Sequence, residues 1–128
     1  MNILLDTQLI LWAATSPQKI PAKLRKKLED KNNTPVFSAA SIWEICIKNS
    51  LGRKNFKVDA GLLKRGLNDN GWSELAITSS HTLATEYLPP IHKDPFDRLL
   101  LAQAEVEGFK LYTSDKLLAK YPGPVELL

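Results

Sequence analysis

Several residue classes are scarce in this chain, and each scarcity removes a class of protein. There is one cysteine in 128 residues, so an intrachain disulfide framework and a multi-cysteine zinc site are both excluded. That residue, Cys46, stands between Ile45 and Ile47 and reads as a core thiol. No apolar run approaches the roughly 20 residues needed to cross a bilayer. The first residues lack a basic segment and meet Asp6 too early for a secretory leader, so a cytoplasmic location is expected. Internal repeats, low-complexity tracts and linkers are absent, and a single domain over residues 1–128 is expected. What is present is ordinary for a globular protein: 44% hydrophobic and 24% charged residues, enough to build a core. The net charge of +3 leans towards an anionic partner without requiring one. Its distribution says more, with Lys23, Arg25, Lys26, Lys27 and Lys31 in one segment and Lys48, Arg53, Lys54 and Lys57 in another.

Short apolar runs alternate with helical patterns. Residues 2–5 form a first strand ending at Asp6, followed by a helical face through Leu9, Ile10, Leu11 and Trp12. A basic helix follows Pro21, then a strand at 36–38, a helix over 39–51 closed by Gly52, and a helix over 59–69. On the 39–51 helix, Ile42, Ile45 and Cys46 are expected to face inward. A third strand is expected at 74–78, a short helix at 80–87, a strand at 110–113 and a fifth near the end. Residues 95–107 form a helix with little polar surface, with Asp94 as N-cap, Pro95 at its first position and Gly108 as its stop. Strands and helices alternating at this spacing describe a largely parallel sheet covered on both faces, a three-layer α/β/α sandwich of four to five strands.

The placement of acids rises above composition. Asp6 follows the first strand, Glu44 lies in the helix after the second, Asp97 opens the apolar helix, and Asp115 follows the fourth strand. Carboxyl ends of strands in an open α/β sheet share one crevice, so these acids can converge. Clustered carboxylates repel and lose hydration unless a positive group offsets them, and with no base evident in these motifs a divalent cation is the expected answer. Oxygen ligands favour Mg²⁺ or Mn²⁺, ions that lower the pKa of a bound water and stabilise charge on phosphorus. Each acid also has a plain structural role open to it. Asp6 can cap the next helix; Glu44 can close a capping box with Ser41, unless the helix starts earlier from Ser38; Asp97 can serve the helix dipole; Asp115 can cap a turn.

Leu4-Leu-Asp6-Thr, Ser38-Ala-Ala-Ser-Ile-Trp-Glu44-Ile, Asp94-Pro-Phe-Asp97-Arg and Tyr112-Thr-Ser-Asp115 together resemble the ordered acidic motifs of the PIN domain, in particular VapC-like toxins. The resemblance spans the chain. It implies an endoribonuclease dependent on Mg²⁺ or Mn²⁺, homodimerisation, and inhibition by a small antitoxin covering the active-site groove. It puts the family's acids on Asp6, Glu44, Asp97 and Asp115, with Thr7, Thr113, Ser114 and Asp94 in support. One departure is Gln8, where histidine is frequent in the most similar subgroup; glutamine cannot switch protonation near neutral pH.

Among the remaining residues, Arg53, Lys54 and Lys57 are candidate RNA contacts, and Arg98 is a secondary one because a helical neighbour of Asp97 points about 100° away. His92 reads as a surface or loop histidine, although it could orient a phosphate, and His81 shows no partner. Trp12, Trp43 and Trp72 read as core or dimer contacts. Two other classes stay open: a non-catalytic RNA- or protein-binding module, and an Mg²⁺-dependent phosphatase. The phosphatase reading is weakened because Gln8 stands where a second aspartate is needed.

Overall fold

The computed structural model describes residues 1–52 and 56–128. Five parallel strands lie in the order β3-β2-β1-β4-β5: β1 (Asn2–Leu5), β2 (Thr34–Ser38), β3 (Ser73–Leu75), β4 (Lys110–Thr113) and β5 (Val125–Leu127). The chain winds outward from β1 through β2 to β3, then returns to place β4 on the other side of β1. The carboxyl ends of β1 and β4 therefore flank a topological switch point, the crevice where such sheets hold ligands.

Alternation along each strand feeds two cores. Ile3, Leu5, Phe37 and Tyr112 point to one face, Leu4, Val36 and Leu111 to the other. Helices α1 (Thr7–Thr15), α2 (Ala22–Glu29) and α4 (Ala60–Asp69) cover the first face with Leu9, Ile10, Leu24, Leu63 and Leu67. On the second face, α6 (Pro95–Glu107) contributes Leu100, Leu101, Ala102 and Ala104, with α5 (Ser79–Ala84) packed beside it. The helix α3 (Ala39–Ser50) belongs to both, with Ala40 in one core and Ile45 in the other. This is the three-layer α/β/α sandwich. Burial of each such Leu or Ile is worth roughly 1.5–3 kcal/mol, so the acids at the strand ends rest on a rigid base. No helix among the described residues is long and apolar enough to cross a membrane.

Helix ends follow the chemistry of their flanking residues. Asp94 accepts from the amides of Phe96 (2.8 Å) and Asp97 (3.3 Å) at the start of α6, and Gly108 ends that helix at φ +73°, a left-handed conformation costly to other residues. Ser38 caps α3, so Glu44 lies beyond its first turn.

Three expectations are corrected. The third strand stops at Leu75 instead of running to 78, because Thr78 is recruited as N-cap of α5. Its hydroxyl accepts from the His81 amide (3.3 Å), and His81 Nδ1 accepts from the Thr78 amide (3.1 Å). His81 is thus not partnerless: it is fully buried, and its Nε2 meets Glu107 at 2.8 Å. Cys46 is exposed, because Ile42, Ile45 and Asn49 set the inward stripe of α3 and leave Trp43, Cys46 and Ser50 about 100° round the helix from it. Trp43 accordingly sits at the surface, 56% exposed, edge-on to Phe96 with ring centroids 5.2 Å apart, whereas Trp12 and Trp72 pack on the first core.

Candidate active site

Asp6 lies where β1 gives way to α1, and its side chain ties three segments together. One oxygen accepts from the Leu9 amide (2.9 Å) as an N-cap; the other accepts from the Thr113 hydroxyl (2.6 Å) and the Ser114 amide (3.0 Å) beyond β4. The capping role and a site role therefore coexist in one carboxylate. Burial raises its pKa above the ordinary value, the Thr113, Leu9 and Ser114 hydrogen bonds oppose that rise, and the charge of Asp115 adds to it. The next residue, Thr7, donates to Glu44 Oε1 (2.7 Å) and pairs with the Ser41 hydroxyl (2.9 Å), fixing α3 against α1. The other oxygen of Glu44 meets Lys48 Nζ at 3.2 Å, one turn along α3.

Asp97 projects from the first turn of α6, and Asp115 from the loop after β4. Between them stands His92, with Nε2 at 3.1 Å from Asp97 Oδ2 and 2.9 Å from Asp115 Oδ2. Asp115 spends its Oδ1 on the amides of Leu117 (2.8 Å) and Leu118 (3.3 Å), while its own amide donates to Thr113 Oγ1 (2.9 Å). For Asp97, no donor to the second oxygen exists among the described residues. Asp6, Glu44, Asp97 and Asp115, together with Thr7, Gln8, Asp94, Ser114 and Lys48, line one cavity of about 330 Å³ at the switch point.

The charges are unequally compensated. For Asp115, burial is the largest single influence and raises the carboxyl, but the hydrogen bonds from His92, Leu117 and Leu118, with the charge of His92, together outweigh it and hold the group below its usual range. Asp97 is the opposite case. Burial, followed by the charge of Asp94, pushes it from 3.8 up to about 7, with Glu44 and Asp115 adding to the rise and His92 opposing it. An anion so placed is relieved either by a proton or by a cation. The donor set is rich in hard oxygens on rigid elements, which fits Mg²⁺ or Mn²⁺ and not a soft metal.

Two residues beside the acids are only weakly marked in the sequence. Lys48 was visible only as part of a basic segment, although its place four residues after Glu44 is the spacing of a helical ion pair. It corrects the expectation that no base stands among the acids. His92 lies in a loop, as expected, but it turns inward between Asp97 and Asp115 instead of standing at the surface; the signal is its position two residues before the Asp94 cap in a loop stiffened by Pro89 and Pro90.

The candidate RNA contacts fare differently. Arg98 donates to the carbonyls of Thr85 (2.9 Å) and Pro89 (3.0 Å) and to the Tyr121 hydroxyl (3.0 Å), so its guanidinium braces the loop before α6 instead of reaching out to a phosphate. Lys57 is exposed but borders a separate apolar groove of about 690 Å³ between α1, α2 and α4. Arg53 and Lys54 lie outside the described residues.

A doubly wound parallel sheet carrying four acids around the cavity at its switch point defines a class of α/β protein. The chain belongs to the PIN domain family, whose model matches residues 3–124. Among curated proteins no match is found. Solved structures share the fold at low identity. VapBC2 from Rickettsia felis, bound to a promoter DNA fragment, aligns with a TM-score of 0.73 at 19% identity, covering 100% of this chain and 99% of that one. DNA-bound VapBC from Salmonella typhimurium gives 0.68 at 13%, covering 98% and 97%. A toxin-antitoxin complex from Klebsiella pneumoniae gives 0.63 at 16%, covering 97% and 95%.

Proposed function

We propose that the protein is a metal-dependent endoribonuclease of the VapC type, the toxin of a toxin-antitoxin pair. The observation that carries this reading is the convergence of Asp6, Glu44, Asp97 and Asp115, from four separate segments, on one cavity where Asp97 is left undercompensated. Asp6, Glu44 and Asp97 would hold Mg²⁺ or Mn²⁺, with Asp115 completing the set. When bound, the ion supplies positive charge that activates water at neutral pH and offsets charge on the phosphate under attack.

The chain's own residues prepare that site. Thr113 and Ser114 fix the Asp6 carboxylate, and Thr7 fixes Glu44, so neither acid needs to reorganise when the ion arrives. Lys48, on the cavity wall, can meet the phosphodiester backbone. Gln8 is exposed at the rim and offers hydrogen bonds but no proton transfer at neutral pH. A small antitoxin would silence the enzyme by covering the cavity, a reading supported by the structural likeness to VapBC and toxin-antitoxin complexes. A homodimer acting in the cytoplasm completes the proposal.

The test is RNA cleavage by purified protein free of any antitoxin. Cleavage is expected with Mn²⁺ or Mg²⁺ and not with EDTA, and Asp6→Asn and Glu44→Gln should each lower the rate at least about 100-fold while the fold survives. A chain that binds RNA but never cuts it would be a binding module instead.

A further inference from the structure

His92, Asp97 and Asp115 each offer a ligand atom, and the three atoms lie within 4.8 Å of one another, an arrangement that would admit a histidine-containing metal site. The backbone decides against that assignment. His92 Nδ1 accepts a hydrogen bond from the Asp94 amide at 3.0 Å, so Nδ1 carries no proton. The ring proton is therefore on Nε2, the nitrogen facing both carboxylates. For Nε2 to bind a cation, the proton would have to move to Nδ1. Two N–H groups would then oppose each other and leave the amide of Asp94, the α6 N-cap, without its acceptor.

The loop holds the ring in this pose. The His92 amide donates to the Tyr121 hydroxyl (2.8 Å), and that same oxygen accepts from Arg98. Arg98 also fastens the Thr85 and Pro89 carbonyls. Asp115, on its loop, has no other side-chain link to Asp97 among the described residues than the His92 ring.

We propose that His92 is a positioning residue and not a metal ligand: locked as the Nε2–H tautomer by the Asp94 amide, it donates to Asp115, stands 3.1 Å from Asp97, and sets the spacing of the third and fourth acids. The inference rests on the metal-site reading above but makes a claim of its own about the ring. Its first test is ¹⁵N ring spectroscopy of wild-type protein at pH 8, with the His92 signals assigned by their loss in His92→Gln. Nε2 is expected to show a bonded proton both in EDTA and in saturating Mg²⁺. A proton on Nδ1 in EDTA, or an Nε2 that loses its proton when Mg²⁺ is added, overturns the proposal.

The second test is Mn²⁺ affinity by calorimetry, with thermal unfolding as a check on folding. His92→Gln, whose amide N–H can reach the place of Nε2–H, should stay within about threefold of wild type, and His92→Ala should lose about 10- to 100-fold. Equal losses in both variants contradict a positioning role. If the wild-type protein binds neither ion, the metal reading fails, and the EDTA spectrum alone judges the tautomer.

Discussion

Replacing Asp97 with asparagine is expected to stabilise the metal-free protein, and more so at alkaline than at acid pH. The Asp97 carboxyl is raised from 3.8 to about 7, by burial first and then by the charge of Asp94. Between those values the folded chain keeps a proton that the unfolded chain has released. The contribution of this group to stability therefore falls as pH rises through that window, and the loss is complete above it. At about 1.4 kcal/mol for each pH unit separating the folded from the unfolded value, the raised pKa of Asp97 costs about 4 kcal/mol at pH 8, where the group is ionised, and about 2 kcal/mol at pH 5, where the folded chain retains the proton. An amide titrates at neither pH, so the stability gap between Asp97→Asn and wild type should widen by about 2 to 3 kcal/mol from pH 5 to pH 8. Guanidinium unfolding in EDTA, at one protein concentration and both pH values, measures that gap. Groups that titrate alike in both proteins cancel, so the change in the gap reports the titration of Asp97 in its surroundings. A gap that stays flat or narrows would refute the reasoning. In Mn²⁺ at about 100 times its Kd, wild type should gain about 2.7 kcal/mol, with little gain for Asp97→Asn.

Other consequences are direct. Lys48→Ala should weaken RNA binding and reduce the slope of log affinity against log salt by about one, seen in fluorescence anisotropy across a salt series. Thr113→Val removes the donor to Asp6 and the acceptor for the Asp115 amide; it should cost about 1 to 3 kcal/mol in chemical unfolding and weaken Mn²⁺ binding about tenfold. Gly108→Ala meets no atom within 4 Å, so its whole cost arises from φ +73°, about 1 kcal/mol in the same unfolding assay.

Much of this architecture is written locally in the chain. The alternation in Ile3-Leu4-Leu5 encodes a strand buried on both faces, and the Asp94-Pro95 start and Gly108 stop encode the bounds of α6. Once strand ends are located, the parallel topology brings the four acids together. What escaped depends on closure over distance or on angle. His92 reaches Asp115 across 23 residues and Tyr121 across 29, through a loop whose course is set by Arg98 bonding to carbonyls. No periodicity encodes those contacts. Cys46 was misplaced by a single residue's rotation on α3, about 100° from Ile45. The early end of β3 reflects a competition that Thr78 and His81 decide through their capping bonds.

The central claim is that acids at the strand ends direct water, with a divalent ion, at an RNA phosphodiester. Its most direct test is the chemistry of the product ends when the antitoxin-free protein cuts RNA in Mn²⁺. Attack by water leaves a phosphate on one fragment and a free hydroxyl on the other, without participation of the ribose 2′-hydroxyl. Such ends are expected, and they should disappear in EDTA and in Asp97→Asn. Cyclic 2′,3′-phosphate ends, or cleavage that persists in EDTA, would contradict it.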